Sequence, residues 1–485
     1  MQFPDMVEDI ELDDRTLGLI AALSSGGDAR ITLDPVSGLN RYFSAPYPRR
    51  TLAYASSTAN DLSRPAFEHL LATLAEGNGD YSAHLDRLRG RIRAAYGLDD
   101  SVEVAFAPSG TDLEYVALAA VEGKAPGGTH NILLGADEVG SGCIHSAHAR
   151  YFADETALGC VTVPASPVGG FSPVSLSDVP VRCEGGLARS SADIAAAIAD
   201  EIELAHGQGK HALVHVVHGS KTGLILPEAE ELDYLENRFG PGFDLVIDAC
   251  QARITTEAVH AYLARGAMVF LTGSKFMGGP PFNGFALLPA SMVSEAAPLP
   301  EGLANIFRRA EFPQAWAGRH ILPDSENHSL ALRFEASIFE LERFQSLGMD
   351  KVRQVIGAFS SAVRSELLEP LQLSLVKPHI PGAREELREH PIEMQTLATL
   401  DVSSLPGLRS FADAQRVHRD LALSGLRLGQ PVKSVRVDGE WGGTMRIGLS
   451  MPQFSAWAGL RAHELERQLQ GDMAAIAEHL TLQTA

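Results

Sequence analysis

Between about Ala53 and Pro289 the chain alternates short, nearly all-apolar runs with helix-patterned segments. The runs are Val102–Ala107, Asn131–Leu134, Val161–Pro164, His211–Val217, Leu245–Asp248, Met268–Leu271 and Phe285–Leu288. Each is too short for a helix and is bounded by Gly, Pro or Asp, so each reads as a strand. A helix is predicted from Asp112, after the turn Pro108-Ser109-Gly110, and another over the Ala/Ile-rich Ile194–Leu204. Strands that are apolar at successive positions are buried on both faces, which predicts βαβ units and a mostly parallel sheet. Gly169–Gly186, rich in Gly, Pro, Ser and Val, reads as an inserted loop or β excursion.

Beyond about Pro313 the texture changes. Ser329–Leu347 has the period of an amphipathic helix, with Glu335, Glu340, Glu342 and Arg343 expected on its polar face. A second helix is expected over Asp350–Leu367, then short strands at Met394–Leu400, Ser434–Val437 and Met445–Ser450, then a helix-rich tail. The expected architecture is α/β: a large domain (residues 53–312) whose mostly parallel seven-stranded sheet is sandwiched by helices, and a smaller α+β domain (313–485). Residues 1–52 form an N-terminal arm or part of the small domain.

The balance of 45% hydrophobic and 21% charged residues is that of a globular chain. A net charge of −21 repels phosphate backbones and anionic membranes, which argues against a nucleic-acid partner. No apolar run approaches the roughly 20 residues of a membrane helix. Cys143, Cys160, Cys183 and Cys250 form no CxxC pair and no metal cluster, so a reduced, cytoplasmic protein without a metal is expected. The acidic start, with Asp5, Glu8, Asp9, Glu11, Asp13 and Asp14, is unlike a signal peptide.

Three stations carry candidate chemistry, each at a strand end. Ser109-Gly110-Thr111 follows the first strand and precedes a helix, where backbone N–H groups and two hydroxyls suit a phosphate. Asp248 ends the apolar run Leu245–Asp248, where a carboxylate needs a cationic or hydrogen-bonding partner. A protonated pyridine nitrogen is one such partner, and Gln251 lies within reach of the same ring; capping the next helix is the competing use of an Asp there. Lys275 follows another strand among Thr272, Gly273 and Ser274, with Gly278, Gly279 and Gly284 beyond it. Glycines so dense argue for a close-packed backbone, in which desolvation makes a lysine a usable nucleophile.

Together these residues resemble the fold-type I pyridoxal 5'-phosphate (PLP) enzymes. The likeness is greatest to the aminotransferase class V branch, which includes cysteine desulfurases, kynureninase and serine–glyoxylate aminotransferase. The resemblance runs from about Thr58 to Pro289 and implies an aspartate aminotransferase-like fold. Asp248-Ala249-Cys250-Gln251 matches the family's Asp-Ala-x-Gln, whose Asp pairs with the pyridine nitrogen. Thr272-Gly273-Ser274-Lys275, 27 residues beyond Asp248, matches Ser/Thr-x-x-Lys, whose lysine carries the cofactor as a Schiff base. By the same likeness Ser109, Gly110 and Thr111 bind phosphate, with Thr272 and Ser274 as further phosphate or lysine-orienting contacts. Ser220, in His218–Gly223, stands where relatives place an Asn on the ring oxygen. The ring-stacking residue falls within Asp137–His148: His145 is the candidate, against Val139, Gly140 and His148. Arg446, in Met445–Ser450, resembles the small-lobe arginine that takes a substrate carboxylate, with an ordinary edge-strand ion pair as the competing reading. Asn40, in Gly38–Tyr42, falls in what looks like the arm covering the substrate.

The resemblance implies an enzyme acting on an amino-acid-type substrate through an external aldimine and a Cα carbanion, with Lys275 moving the proton, and a homodimer with shared active sites. Aminotransfer is the leading reaction; β- or γ-elimination or replacement is the alternative. Desulfurases of the family use a cysteine well after the lysine, whereas the last cysteine here is Cys250, before Lys275. The 169–186 segment suggests a substrate larger than a simple amino acid. A binding protein that kept the fold but lost catalysis is the reading of another class, and retention of Lys275, Asp248 and Gln251 argues against it.

Overall fold

The computed structural model describes residues 10–77, 79–136, 138–140, 142–376 and 396–482. Seven strands build the central sheet: β1 (Val102–Ala107), β2 (Thr129–Leu134), β3 (Val174–Val179), β4 (His211–His218), β5 (Phe243–Asp248), β6 (Met268–Thr272) and β7 (Gly284–Pro289). Their order is β1-β7-β6-β5-β4-β2-β3, with β7 antiparallel to both neighbours and the other pairings parallel. A two-residue strand, Ile225–Leu226, pairs with the end of β4.

Alternation within the strands feeds two cores. Val104 and Phe106 of β1, Leu245 and Ile247 of β5, and Val269 and Leu271 of β6 enter one cluster, with the helices Tyr81–Tyr96, Ser191–Gly207 and His328–Gln345. Ala105, Val246, Met268 and Phe270 face the other way, into a cluster shared with the helix Leu113–Ala120 and the segment 293–322. Covering both faces is what continuous apolar strands require, and the expected sandwich is observed.

One expectation about the sheet is corrected. Val161–Pro164 is not a strand: Val161 and Val163 are largely exposed, and only an isolated bridge joins Val161 to Glu155. The missing strand is β3, inside the 169–186 segment: of the two readings of that segment the β excursion is observed, as an edge of the sheet, and the inserted loop is not. Its Val-Ser-Leu-Ser-Asp-Val alternates because an edge strand keeps a wetter face. The long helix also differs from expectation. Glu335 and Glu340 are buried, not solvent-facing, because the helices Arg64–Glu76 and Tyr81–Tyr96 pack along it. Glu335 meets His69 at 2.7 Å, His84 at 3.2 Å and Arg91 at 2.5 Å, and Glu340 meets Arg343 at 2.8 Å.

After this helix, Ser374–Leu375, Leu397–Asp401 and Thr444–Gly448 form an antiparallel sheet. Met394 and Gln395 of the expected strand lie outside the described residues. Ser434–Val437 contracts to Arg436–Val437, paired with Glu440–Trp441. Leu52–Tyr54 pairs in parallel with Leu426–Leu428, which ties the beginning of the chain to its C-terminal part. No helix among the described residues is long and apolar enough to cross a membrane.

Candidate active site

β1, β4, β5 and β6 all end on one side of the sheet, delivering Ser109, Ser220, Asp248 and Lys275 to a common place. Carboxyl ends of parallel strands collect ligands because the turns and helix starts that follow present backbone donors. A cavity of about 970 Å³ opens there, large enough for a cofactor and a substrate. Its wall holds Ser109, Gly110, Thr111, His145, Ser220, Asp248, Gln251, Thr272, Ser274, Lys275 and Arg446.

The lysine loop is rigidly seated. Asn60 Nδ2 donates to the carbonyls of Lys275 at 2.6 Å and Ser274 at 3.3 Å, and Gly279 N donates to Gly273 O at 2.8 Å. A Cβ on Gly279 would lie 1.9 Å from Ser337 Oγ, and one on Gly273 2.3 Å from the same oxygen. Gly278, at φ +83°, passes Pro452. These contacts are the close packing that the glycines around Lys275 predicted. Thr272 Oγ1 donates to Cys250 O at 2.7 Å, so its hydroxyl joins the lysine strand to the Asp248 turn.

Asp248 does not cap a helix; the next one starts at Thr256 and is capped by Thr255. Its Oδ1 instead accepts from Cys250 N at 2.9 Å, a local turn that fixes the carboxylate. Behind it lie Glu114 and His215, both buried, with Glu114 Oε2 3.3 Å from His215 Nε2. Burial, reinforced by the charge of Asp248, pushes the Glu114 carboxyl well up, and burial pushes His215 down to about 3. Of these three groups, Asp248 is the one that lines the cavity.

At the other end, Ser109 Oγ donates to Asp112 Oδ2 at 2.6 Å, and burial lifts Asp112 to about 6. Gly110 has no room for a side chain, since a Cβ would lie 2.9 Å from Thr272 Cγ2. A residue that no motif announced completes this end. Arg30 lies between the rings of Phe152 and Phe282, pairs with Asp28 at 2.8 Å, and places Nη2 3.4 Å from Ser109 Oγ. Although burial opposes its charge, the bond to Asp28 holds Arg30 above its ordinary value.

Ser220 Oγ donates to Glu138 Oε2 at 2.7 Å and sits in a turn closed by Gly219 (φ +70°) and Gly223 (φ +87°). Glu138, also unannounced, pairs with Arg182 at 2.8 Å and accepts from Thr222 Oγ1 at 2.9 Å. Burial opposes its charge, but Arg182 and these hydroxyls hold the carboxylate below its ordinary range. His145, on the short helix Cys143–Ser146, lines the cavity together with Val139 and Gly140; His148 does not. Asp137 and Ser141 of that segment lie outside the described residues.

Arg446 is not in an ion pair among the described residues. Its guanidinium donates to Gln430 O at 2.6 Å, Lys221 O at 3.1 Å, Ser57 O at 3.3 Å and Thr58 Oγ1 at 3.1 Å, which hold it at the cavity wall. Burial brings it down to about 10. Asn40 does not line this cavity. Its Oδ1 accepts from Tyr42 N and Ser44 N, and its Nδ2 donates to Ser44 Oγ, so it locks the turn that presents Arg41 and Tyr42 to the cavity instead.

No known sequence family and no curated protein matches the chain. Solved structures match in three dimensions. A NifS-like protein has a TM-score of 0.54 at 13% identity, over 88% of this chain and 99% of its own. The cysteine desulfurase CsdA of Escherichia coli has 0.54 at 12%, over 89% and 95%. The cystine C–S lyase C-DES, in complex with cysteine persulfide, has 0.53 at 13%, over 87% and 97%. At these identities the likeness establishes the fold.

Proposed function

We propose that the chain is an enzyme that binds PLP and transforms an amino-acid substrate, with amino-group transfer as its reaction. The observation that carries the reading is the convergence of Lys275, Asp248 and the Ser109–Thr111 turn, from three strand ends, on one cavity walled by Arg446. The donor set fits PLP: an amine for its carbonyl, a carboxylate for its ring nitrogen, and a glycine turn flanked by Arg30 for its phosphate. PLP bound there supplies an electron sink for charge developing at the substrate Cα.

In this reading Lys275 would hold the cofactor covalently, and its amine would take and return the proton at Cα. Asp248 accepts the ring N–H bond and keeps that proton in place. Arg446 receives the α-carboxylate and thereby orients the bond to be broken. Ser109, Gly110, Thr111 and Arg30 hold the phosphate, with Ser274 beside them. Gln251 and Ser220 would flank the ring, and His145 would stack on it. A persulfide route is disfavoured by the cavity's own thiols. Burial, then the neighbouring carboxylates Glu114 and Asp248 respectively, push Cys143 and Cys250 well up, so neither is a ready thiolate. A cytoplasmic homodimer with shared sites belongs to the same reading.

The test is the visible spectrum of the PLP-incubated protein, before and after borohydride, with Lys275→Ala in parallel. A yellow Schiff-base band that borohydride removes and the variant lacks is expected. A protein that stays colourless overturns the proposal.

A further inference from the structure

The ring oxygen of PLP would have two candidate donors in the cavity wall, Ser220 and Gln251. Their hydrogen bonds tell them apart. A serine hydroxyl has one hydrogen to give and two lone pairs to offer. Ser220 Oγ gives its hydrogen to Glu138 Oε2 at 2.7 Å and accepts from Leu224 N at 3.2 Å and Thr222 N at 3.4 Å. Its capacity is filled, and the carboxylate it serves is itself held in place by Arg182 at 2.8 Å.

Gln251 is the opposite case. Its Oε1 accepts from Arg253 Nη1 at 2.8 Å, and its Nε2 donates to Ser57 O at 3.2 Å. A guanidinium only donates and a carbonyl only accepts, so neither contact can be reversed and the amide is locked in one orientation. One Nε2–H is left without a partner among the described residues, on a side chain that lines the cavity. Arg253 does more than orient this amide. It is fully buried, and its side chain donates to neutral oxygens of Gln251, Ser56, Leu449 and Thr396. A cation bonded to the amide oxygen polarises the amide and strengthens its remaining N–H as a donor.

Resting on the PLP reading, we infer that Arg253 is a positioning residue. It fixes the Gln251 amide so that the free N–H meets the ring oxygen, a role that Ser220, bound to Glu138, does not fill.

The test is a spectrophotometric pH titration of the PLP-loaded full chain, following the Schiff-base band. A strong donor at the ring oxygen disfavours the extra proton on the Schiff-base nitrogen, so weakening that donor raises the pH of half-titration. Gln251→Leu and Arg253→Met are each expected to raise it by about 1, and Arg253→Lys, which keeps the charge but not the fork, by less. Asp248, Glu138, His145, Lys221 and Arg446 also line the cavity and are common to every variant, so the differences read the amide and its guanidinium. Because Arg253 acts through Gln251, adding Arg253→Met to Gln251→Leu should move the titration little further, a non-additivity that a merely structural loss would not produce. Arg253→Met titrating with wild type, or adding its full effect to Gln251→Leu, overturns the inference. Should Arg253→Met not fold, Arg253→Lys supports the same two comparisons. Yellow protein with absent or additive shifts sinks only this inference, whereas colourless protein sinks the PLP reading with it.

Discussion

Arg253 Nη1 donates to Gln251 Oε1 at 2.8 Å, joining a fully buried guanidinium to an amide in the cavity wall. The same guanidinium donates to Ser56 Oγ at 2.6 Å, Leu449 O at 3.2 Å and Thr396 Oγ1 at 3.1 Å. One side chain thus ties the turn after β5 to the N-terminal stretch and to the C-terminal sheet. Burial brings Arg253 down to about 9, and Phe276 covers its face at 5.1 Å. The Gln251 side chain, released from Arg253, would keep its bond to Ser57 O at 3.2 Å.

Replacing Arg253 should therefore damage stability before chemistry. Arg253→Met leaves several buried acceptors without a donor and is expected to cost about 3 kcal/mol or more in urea unfolding. Arg253→Lys, which keeps charge but loses the fork, should fall between. A methionine variant as stable as wild type would show that these bonds contribute nothing net.

Asp248→Asn separates holding the cofactor from using it. The shape is kept, and Lys275 is untouched, so uptake of PLP with its absorption band is expected to persist. Turnover should fall on the order of 10²-fold or more, because a neutral amide no longer holds the ring proton. Unchanged turnover with a competent amino donor would remove Asp248 from the proposed role.

The sequence was most legible where function and local order coincide. Asp248 and Gln251 share one turn, and Thr272, Ser274 and Lys275 share another, so the family motifs they resemble could be read from short stretches, and both groups line the cavity. The interior strands were readable because burial on both faces leaves them apolar throughout. β3 was hidden by its edge position, which lets serine and aspartate into the pattern. Arg30, Glu138 and Arg253 were illegible for another reason. Each gains its place from a partner distant in sequence: Ser109, Arg182 or Leu449. Glu335 was misjudged likewise, because the side chains that partner it in the interior come from two other helices.

Arg30 offers a test of the phosphate end. Arg30→Ala removes the cation nearest Ser109 and leaves Asp28 and Asp112 facing that turn. PLP affinity is expected to weaken about 10-fold or more, and inorganic phosphate should compete less well. Pyridoxal, which lacks the phosphate, should bind the two proteins alike. An equal loss for PLP and pyridoxal would assign Arg30 to packing between Phe152 and Phe282 instead.

Acid sensitivity should be traceable to His418. This histidine is buried in the helix Phe411–Leu423, bonds Leu428 O through Nε2 at 3.0 Å, and packs edge-on against Phe43. Burial pushes it down to about 4, from an ordinary 6.5. The unfolded chain takes up a proton near 6.5 and the folded one resists until about 4, so between these values the unfolded state binds more protons. Stability accordingly falls as the pH drops through that window, by a total of about 3 kcal/mol for this group, and the effect vanishes above it. Urea midpoints measured from pH 7.5 to 4 should decline less steeply for His418→Gln than for wild type. His215, pushed down to about 3, adds a slope that both proteins share, so the difference between the curves isolates His418. Parallel curves across the window would mean that His418 charges as readily in the folded protein as in the unfolded one.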